Sequence, residues 1–381
     1  MQYNDFKGEK ISALGFGLMR LPVIGGEENQ SDVDIEKVRE LIKYAVDAGI
    51  NYFDTAYVYH NGFSEKVLGQ ILEEEGLRDK VNIATKMFTL GVDRPGFSPQ
   101  AMFDEQLERL RTDCIDFYLI HGLQGTKWDL LRDKFDIVNH MDRLKAEGKV
   151  RYMGFSFHDN LPAFKHIIDE YDWDFCQIQF NYIDYQTQAG EEGLAYAREK
   201  GVKVAIMEPI KGGSLVFPDN PDVDRIMADA GLSGETPAEL AFRYVADQEG
   251  LLTILSGMNA MNQLTENIAT FDKAVPGCLT DAEKKAVDGI REYINRADEI
   301  PCTTCRYCTR ECPNEINIPA AFSVYNNSKR YGNPKSGLRN YNRSCANIKE
   351  CVECGSCIDA CPQKLNIPEL LKQVREYFEN A

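Results

Sequence analysis

The chain has 381 residues, enough for a barrel-sized domain and a smaller one, with a hydrophobic fraction of 43% and a charged fraction of 27% typical of globular proteins. No apolar run approaches the ~18 residues that span a bilayer, so no membrane partner is expected. A net charge of −17 argues against nucleic-acid binding, which needs basic surface against phosphate, and is read as serving solubility. The opening Met-Gln-Tyr-Asn-Asp-Phe lacks the basic and apolar regions of a secretory signal, which makes the cytoplasm the expected location.

From Leu14 to about Phe271, short apolar runs alternate with longer amphipathic ones. The expected strands are 13–17, 51–55, 81–86, 115–121, 151–156, 175–180, 203–207 and 251–256, each rich in Val, Ile and Phe as a parallel sheet covered on both faces requires. Helical stretches separate them. Ser31 is the expected cap of the helix ending at Ala48-Gly49, and Ser98-Pro99 and Thr236-Pro237 set further helix starts. Eight strand–helix alternations favour an α/β fold of the (β/α)₈ (TIM barrel) kind over a doubly wound sheet. The segment Leu14-Gly15-Phe16-Gly17 lacks the third glycine of a G-x-G-x-x-G dinucleotide fingerprint.

Residues 280–296 read as a helix that closes or leaves the barrel. The expected division is therefore a barrel over 1–277, a closing or linking helix over 278–298, and a small, mostly helical module over 299–381.

Cysteine usage marks that last module. Of twelve cysteines, Cys114, Cys176 and Cys278 are scattered and read as buried core residues, whereas nine lie between Cys302 and Cys361. Residues 302–319 and 351–368 match at an offset of 49, each reading C-x-x-C-x-x-C-x-x-x-C-P and each ending in a proline placed to start a helix. Three cysteines at i, i+3 and i+6 wrap a tight loop around an iron–sulfur cubane. Zinc also takes four thiolates, but its ligands usually come as separated C-x₂-C pairs. Cys345 falls outside both motifs and reads as a free thiol. Between the motifs, Lys329, Arg330, Lys335, Arg339, Arg343 and Lys349 form a basic stretch, read as solvated or as a docking surface for the acidic barrel.

In (β/α)₈ proteins chemistry sits at the C-terminal ends of strands. Asp54 ends the second strand with Tyr59 five residues on, Lys86 ends the third and His121 the fourth. Singly, each has a structural explanation: a turn cap, a packed aromatic, an exposed lysine, a core histidine. Together they make a proton donor. A free phenol with pKa near 10 is too weak an acid at neutral pH, and a neighbouring Lys86 ammonium held by Asp54 would lower that value. His121 could position a substrate oxygen.

The eight cysteines resemble those of bacterial-type two-cluster ferredoxins. That resemblance implies two [4Fe–4S] clusters, one on Cys302, Cys305, Cys308 and Cys361, the other on Cys351, Cys354, Cys357 and Cys312. Asp54-Thr55-Ala56-x-x-Tyr59, Lys86 and Leu119-Ile120-His121 resemble the catalytic tetrad of the aldo-keto reductases, as do residues 12–17, 148–156 and 263–267 their further signatures. Over residues 8–273 the chain is similar to that family, and as a whole to its branch with a fused 4Fe–4S module.

The family binds NADP(H) extended across the barrel mouth. The resemblance places Ser156, Gln177, Met207, Gly257, Asn259, Gln263 and Asn267 at cofactor positions, with NADP(H) or NAD(H) as the cofactor. Three positions depart from the pattern. Phe157 stands where the family usually has asparagine. Met207 and Glu208 replace the stacking tyrosine and the serine beside it. Asn259 replaces the cation that grips the 2′-phosphate, which puts preference for NADPH over NADH in doubt. The expected function is reduction of a small carbonyl, or oxidation of the alcohol, with Tyr59 as proton donor and hydride from NAD(P)H or a bound flavin. The clusters would exchange electrons, with a ferredoxin or other redox protein as partner, or shape the site. The alternative is an electron-transfer or redox-sensing protein whose barrel no longer catalyses.

Overall fold

A computed structural model describes residues 1–25, 31–89, 92, 96–296, 300–302 and 304–380. The strands are β1 (Tyr3–Phe6), β2 (Glu9–Ser12), β3 (Leu14–Gly17), β4 (Tyr52–Asp54), β5 (Asn82–Met87), β6 (Ile115–Leu123), β7 (Val150–Phe157), β8 (Phe175–Gln179), β9 (Lys203–Met207) and β10 (Leu251–Ser256). The last eight form a closed barrel in chain order, all neighbours parallel, with β10 returning to β3 through Ile254–Leu14, Leu255–Gly15 and Ser256–Phe16. Helices follow the strands, so the fold is the (β/α)₈ barrel that the alternation predicts.

The hairpin β1–β2 is an addition to the sequence reading. Lys7 and Gly8 both take positive φ, 49° and 89°, as a two-residue hairpin turn requires. Phe6 and Ile11 of this hairpin are buried in one cluster with Tyr52, Phe117, Phe175 and Leu252. Helix boundaries bring one correction. Asp34, not Ser31, caps Ile35–Asp47, accepting the Lys37 N–H at 3.2 Å. Residues just before it run extended, through a bridge between Val23 and Val33, and this carries Ser31 three residues too far from the first turn. Ser31 instead accepts a hydrogen bond from Asn61 at 2.9 Å.

The chain divides into two compact units, residues 1–212 with 239–279 and residues 213–238 with 280–381. The second unit thus includes an insertion after β9, the segment 213–238 with its helix Pro221–Asp229. That helix meets Asp281–Arg296 closely: a Cβ on Gly289 would stand 2.7 Å from Ile226 Cγ2. The 298–299 boundary lies outside the described residues. Further on, the sequence repeat is also a backbone repeat. Thr304 and Glu353, Arg306 and Gly355, and Glu315 and Lys364 all take positive φ, each pair 49 residues apart. The helices Ile318–Tyr331 and Ile367–Glu379 start on equivalent prolines, and Ile318, Phe322 and Tyr325 share a core with their counterparts Ile367, Leu371 and Val374.

Candidate active site and thiolate hollows

Parallel register along the barrel aligns strand ends, with Asp54 beside Ala84 on β5 and Lys86 beside Leu119 on β6. This puts Asp54, Lys86 and His121 at one end of the barrel, with Tyr59 on the loop leaving β4. Lys86 Nζ donates to Asp54 Oδ1 and Oδ2 at 2.7 and 2.8 Å and to the Thr55 carbonyl at 2.7 Å. Its fourth contact, to the Tyr59 hydroxyl, is 3.5 Å. The Tyr59 and His121 rings meet edge to face with centroids 6.0 Å apart.

Burial governs the electrostatics. Desolvation pushes the Tyr59 phenol above its ordinary value, with the Lys86 charge pulling against it. The expected net lowering by Lys86 is therefore reversed in this structure, because burial of the phenol outweighs the pull of the ammonium. Burial opposes the charge on Lys86, yet Asp54 and Tyr59 more than offset this and hold the ammonium protonated. Desolvation also raises the Asp54 carboxyl, against the pull of Lys86. With three acceptors within 2.8 Å of Nζ, the pair is ionic. His121 is pushed down to about 3, by burial first and then by Lys86, so its ring is neutral at ordinary pH. Its buried Nδ1 has no hydrogen-bond partner among the described residues.

Beneath this group lies a network that sequence reading missed. Glu65, fully buried, accepts from Thr85 Oγ1 at 2.6 Å, Gln106 Nε2 at 2.7 Å and Arg109 Nη1 at 3.1 Å. Gln106 also donates to the Lys86 carbonyl at 3.1 Å, and Arg109 to the Tyr57 carbonyl at 2.9 Å, two residues before Tyr59. The network so braces both the strand end bearing Lys86 and the loop bearing Tyr59. The signal was available: Glu65 shares the buried stripe of its helix with Leu68 and Leu72, and Gln106 that of its own with Phe103 and Leu110. The two helices approach through Gly69, where a Cβ would lie 2.5 Å from the Leu110 carbonyl carbon.

The other predicted positions lie on β7, β8 and β9, in the turn after β10 and on the helix Met261–Phe271. Ser156 Oγ accepts the Gly122 N–H at 2.8 Å. Gln177 donates to Met207 Sδ at 3.7 Å, and its Oε1 is buried without a hydrogen-bond partner among the described residues. Asn267 donates to Ser256 Oγ at 3.1 Å, and the Asn259 N–H to Gln263 Oε1 at 3.0 Å. Gly257 is exposed beside Gly17 and Arg20. Phe157 is fully buried against Phe155 and Phe164, so it does not present a polar group to the mouth. Arg20, not singled out from sequence, is exposed there, its Nη2 3.3 Å from where a Cβ on Gly212 would stand. A separate open groove, lined by Lys165, Glu192, Tyr196 and Arg198, lies on the outer helices rather than at strand ends.

In the second unit the eight motif thiols line two hollows in a crossed arrangement. Cys302, Cys305, Cys308 and Cys361 line one with Phe322 and Ile367; Cys312, Cys351, Cys354 and Cys357 line the other with Ile318 and Leu371. Each hollow takes three thiols from one repeat and the fourth from the other. No three His, Cys, Asp or Glu among the described residues converge closely enough to hold a single metal ion. Four thiols lining an apolar-walled hollow are the donor set of a cubane cluster. Cys345 lines neither hollow and is buried.

The sequence matches the Aldo/keto reductase family over residues 13–292 and a 4Fe-4S dicluster domain over residues 301–365. It is 28% identical to an L-galactose dehydrogenase of Arabidopsis thaliana, over 75% of this chain and 92% of that protein. It is 26% identical to an NADH-specific methylglyoxal reductase of Escherichia coli, over 75% and 96%. The holo form of an aldo-keto reductase from Bacillus halodurans superposes with a TM-score of 0.60 at 25% identity, covering 76% of this chain and 94% of that one. Among the described residues no helix is long and apolar enough to cross a membrane.

Proposed function

The chain belongs to the aldo/keto reductase family, and from that premise we propose that it reduces a small carbonyl compound to its alcohol with Tyr59 as the proton donor. It is an oxidoreductase of that family, acting on a carbonyl or CH–OH group. One observation carries the proposal: Lys86, fully buried, holds Asp54 on one side and reaches toward the Tyr59 hydroxyl at 3.5 Å on the other. Burying such an ion pair costs several kcal/mol per charge, and a barrel that no longer catalysed would have little use for it at the strand ends. This weighs against the silent-barrel alternative.

A carbonyl oxygen at the mouth would receive hydrogen bonds from the Tyr59 hydroxyl and the neutral His121 ring. As the carbonyl carbon accepts hydride, negative charge grows on that oxygen and the Tyr59 proton moves to it. The tyrosinate left behind faces the Lys86 ammonium, so the same charge that is too weak to ionise the resting phenol stabilises the phenolate in the transition state.

A nicotinamide supplies the hydride when bound, and [4Fe–4S] clusters supply or accept single electrons. NAD(H) or NADP(H) is supported by Gln177 Oε1, buried without a hydrogen-bond partner among the described residues, and by the NADH-specific relative. With Asn259 in place of a cation, NADH is the preferred form, and Arg20 is an exposed basic group beside Gly257. Cys302, Cys305, Cys308 and Cys361 are proposed to hold one cluster, and Cys351, Cys354, Cys357 and Cys312 the other. We place the protein in the cytoplasm, where such thiols stay reduced.

The test is anaerobic turnover of a panel of small carbonyls with NADH or NADPH, with released cofactors, iron and sulfide assayed in the same protein. Nicotinamide-dependent alcohol formation by protein holding both clusters is the expected result. Released flavin with no response to nicotinamide would overturn the hydride source, and absence of sulfide the clusters.

A further inference from the structure

The 32 residues from Ile318 to Lys349 contain Lys329, Arg330, Lys335, Arg339, Arg343 and Lys349 and no aspartate or glutamate, in a chain of net charge −17. The structure sorts these cations. Lys335, Arg339 and Arg343 recur at i, i+4 and i+8 on helix Pro334–Ser344, and all three are exposed. Residues at that spacing share one helix face, and at ~1.5 Å per residue they form a stripe about 12 Å long. The opposite face is fixed by packing. Tyr341 stacks on Phe378 with ring centroids 4.9 Å apart, and Gly337 lies so close to Ser328 that a Cβ would meet its Oγ at 2.5 Å. The stripe is therefore held outward. Lys349, on the turn that follows, lies 4.0 Å from Glu379.

A second observation lies next along the chain. Helix Pro334–Ser344 runs through Cys345 and the short turn Ala346–Glu350 to Cys351, which lines the second thiolate hollow. That hollow also carries Val352, 65% exposed, and Cys354, exposed as well. Val352 is an exposed apolar side chain between two cluster thiols, flanked by the exposed Glu350 and Glu353 and joined along the chain to the basic stripe. An apolar contact with the stripe's charge beyond that acidic pair has the composition of a steered docking surface.

We propose that the stripe Lys335, Arg339 and Arg343, together with Val352, is the docking surface for a small acidic one-electron carrier protein, which exchanges electrons through the hollow lined by Cys312, Cys351, Cys354 and Cys357. In the exchange the reduced carrier loses one electron and the group held by those four thiols gains one, with no bond made or broken. The proposal rests on the cluster reading above. It selects the second hollow over the first because the stripe leads directly to the second motif. An acidic partner is selected because its charge opposes the stripe and is repelled by the rest of the chain, which limits other orientations.

The experiment measures binding of a small acidic two-iron ferredoxin to anaerobically prepared protein by calorimetry at rising salt, with basic cytochrome c as the probe of opposite sign. Iron and sulfide are assayed in every sample. The native protein should bind the ferredoxin with an affinity that falls as salt rises. The triple variant K335E/R339E/R343E should bind at least tenfold more weakly at low salt, with a flatter salt dependence. V352D should weaken binding at all salt concentrations. All four positions are exposed, and the control variant K80E/K134E/K273E applies the same charge change at exposed sites on the barrel. Equal weakening by the control would reduce the effect to net charge and overturn the surface. So would unchanged binding by the stripe variant, preference for cytochrome c, no ferredoxin binding by cluster-loaded protein, or self-association that the stripe variant abolishes. Protein lacking sulfide would overturn both this surface and the cluster reading, whereas cluster-loaded protein that ignores the carrier would overturn the surface alone.

Discussion

The Lys86 ammonium lies 2.7 and 2.8 Å from the two Asp54 oxygens and 3.5 Å from the Tyr59 hydroxyl. This asymmetry separates resting enzyme from transition state. At rest the charge is bound to Asp54 and burial keeps the phenol protonated. Only a growing charge on the phenol oxygen can draw more from the ammonium.

Asp54→Asn should leave Lys86 buried without its counter-ion and destabilise the barrel by about 3–5 kcal/mol at neutral pH. The pH dependence should change sign as well. In the native protein Lys86 is held above its ordinary 10.5, so its contribution is fully present below pH 10.5 and is lost as pH rises through the folded value. In the variant burial dominates and drives the lysine down, so stability should rise between pH 7 and 10. Thermal melts of both proteins across that range are the check.

His121 supplies the acid limb. Its folded value of about 3 lies below the ordinary 6.5, so the unfolded chain binds a proton there before the folded one does. Its contribution is present above pH 6.5 and is lost as pH falls toward 3, at up to ~1.4 kcal/mol per pH unit. Between pH 6.5 and 5, His121→Gln should therefore lose up to ~2 kcal/mol less stability than the native protein, measured by urea unfolding. An NMR titration should show the His121 ring unprotonated down to pH 5.

Arg109 binds two carboxylates of opposite standing, Glu65, fully buried, and Glu105, whose side chain is 45% exposed. Glu65→Ala should cost about 3–5 kcal/mol, because it strands donors from Arg109, Gln106 and Thr85 in the interior. Glu105→Ala should cost under ~1 kcal/mol, as solvent replaces that partner. The difference in melting temperature between the two variants reads it.

For the second unit, Cys312→Ser should remove about half of the iron and sulfide, since its thiol belongs to only one hollow. Cys345→Ser, in the core away from both hollows, should retain all of it. Metal and sulfide assays on anaerobically prepared variants decide this.

Much of this was legible because it is periodic. The barrel strands announced themselves by apolar runs at strand length, and the cysteine repeat by its spacing. Asp54, Lys86 and His121 could be read because strand ends are where a parallel barrel gathers its polar groups. What escaped depends on distance in space. The β1–β2 hairpin rests on a Lys-Gly turn too short to stand out. The segment 213–238 reads as an ordinary loop and helix after β9, and only its packing reveals that it belongs with the C-terminal unit. The bonds by which Glu65, Gln106 and Arg109 brace the site reach partners 20 to 52 residues away, which no local pattern records. The direction of the Tyr59 shift was misjudged for a related reason: the spacing predicts a nearby lysine, but not that burial outweighs its charge.

The most direct test of the account compares native protein and Tyr59→Phe in a single anaerobic turnover with NADH and a carbonyl that the native protein reduces. A slowing of alcohol formation by about 10²–10⁴-fold, with nicotinamide binding and both clusters unchanged, is the predicted result. Alcohol formation by the phenylalanine variant at the native rate would contradict it.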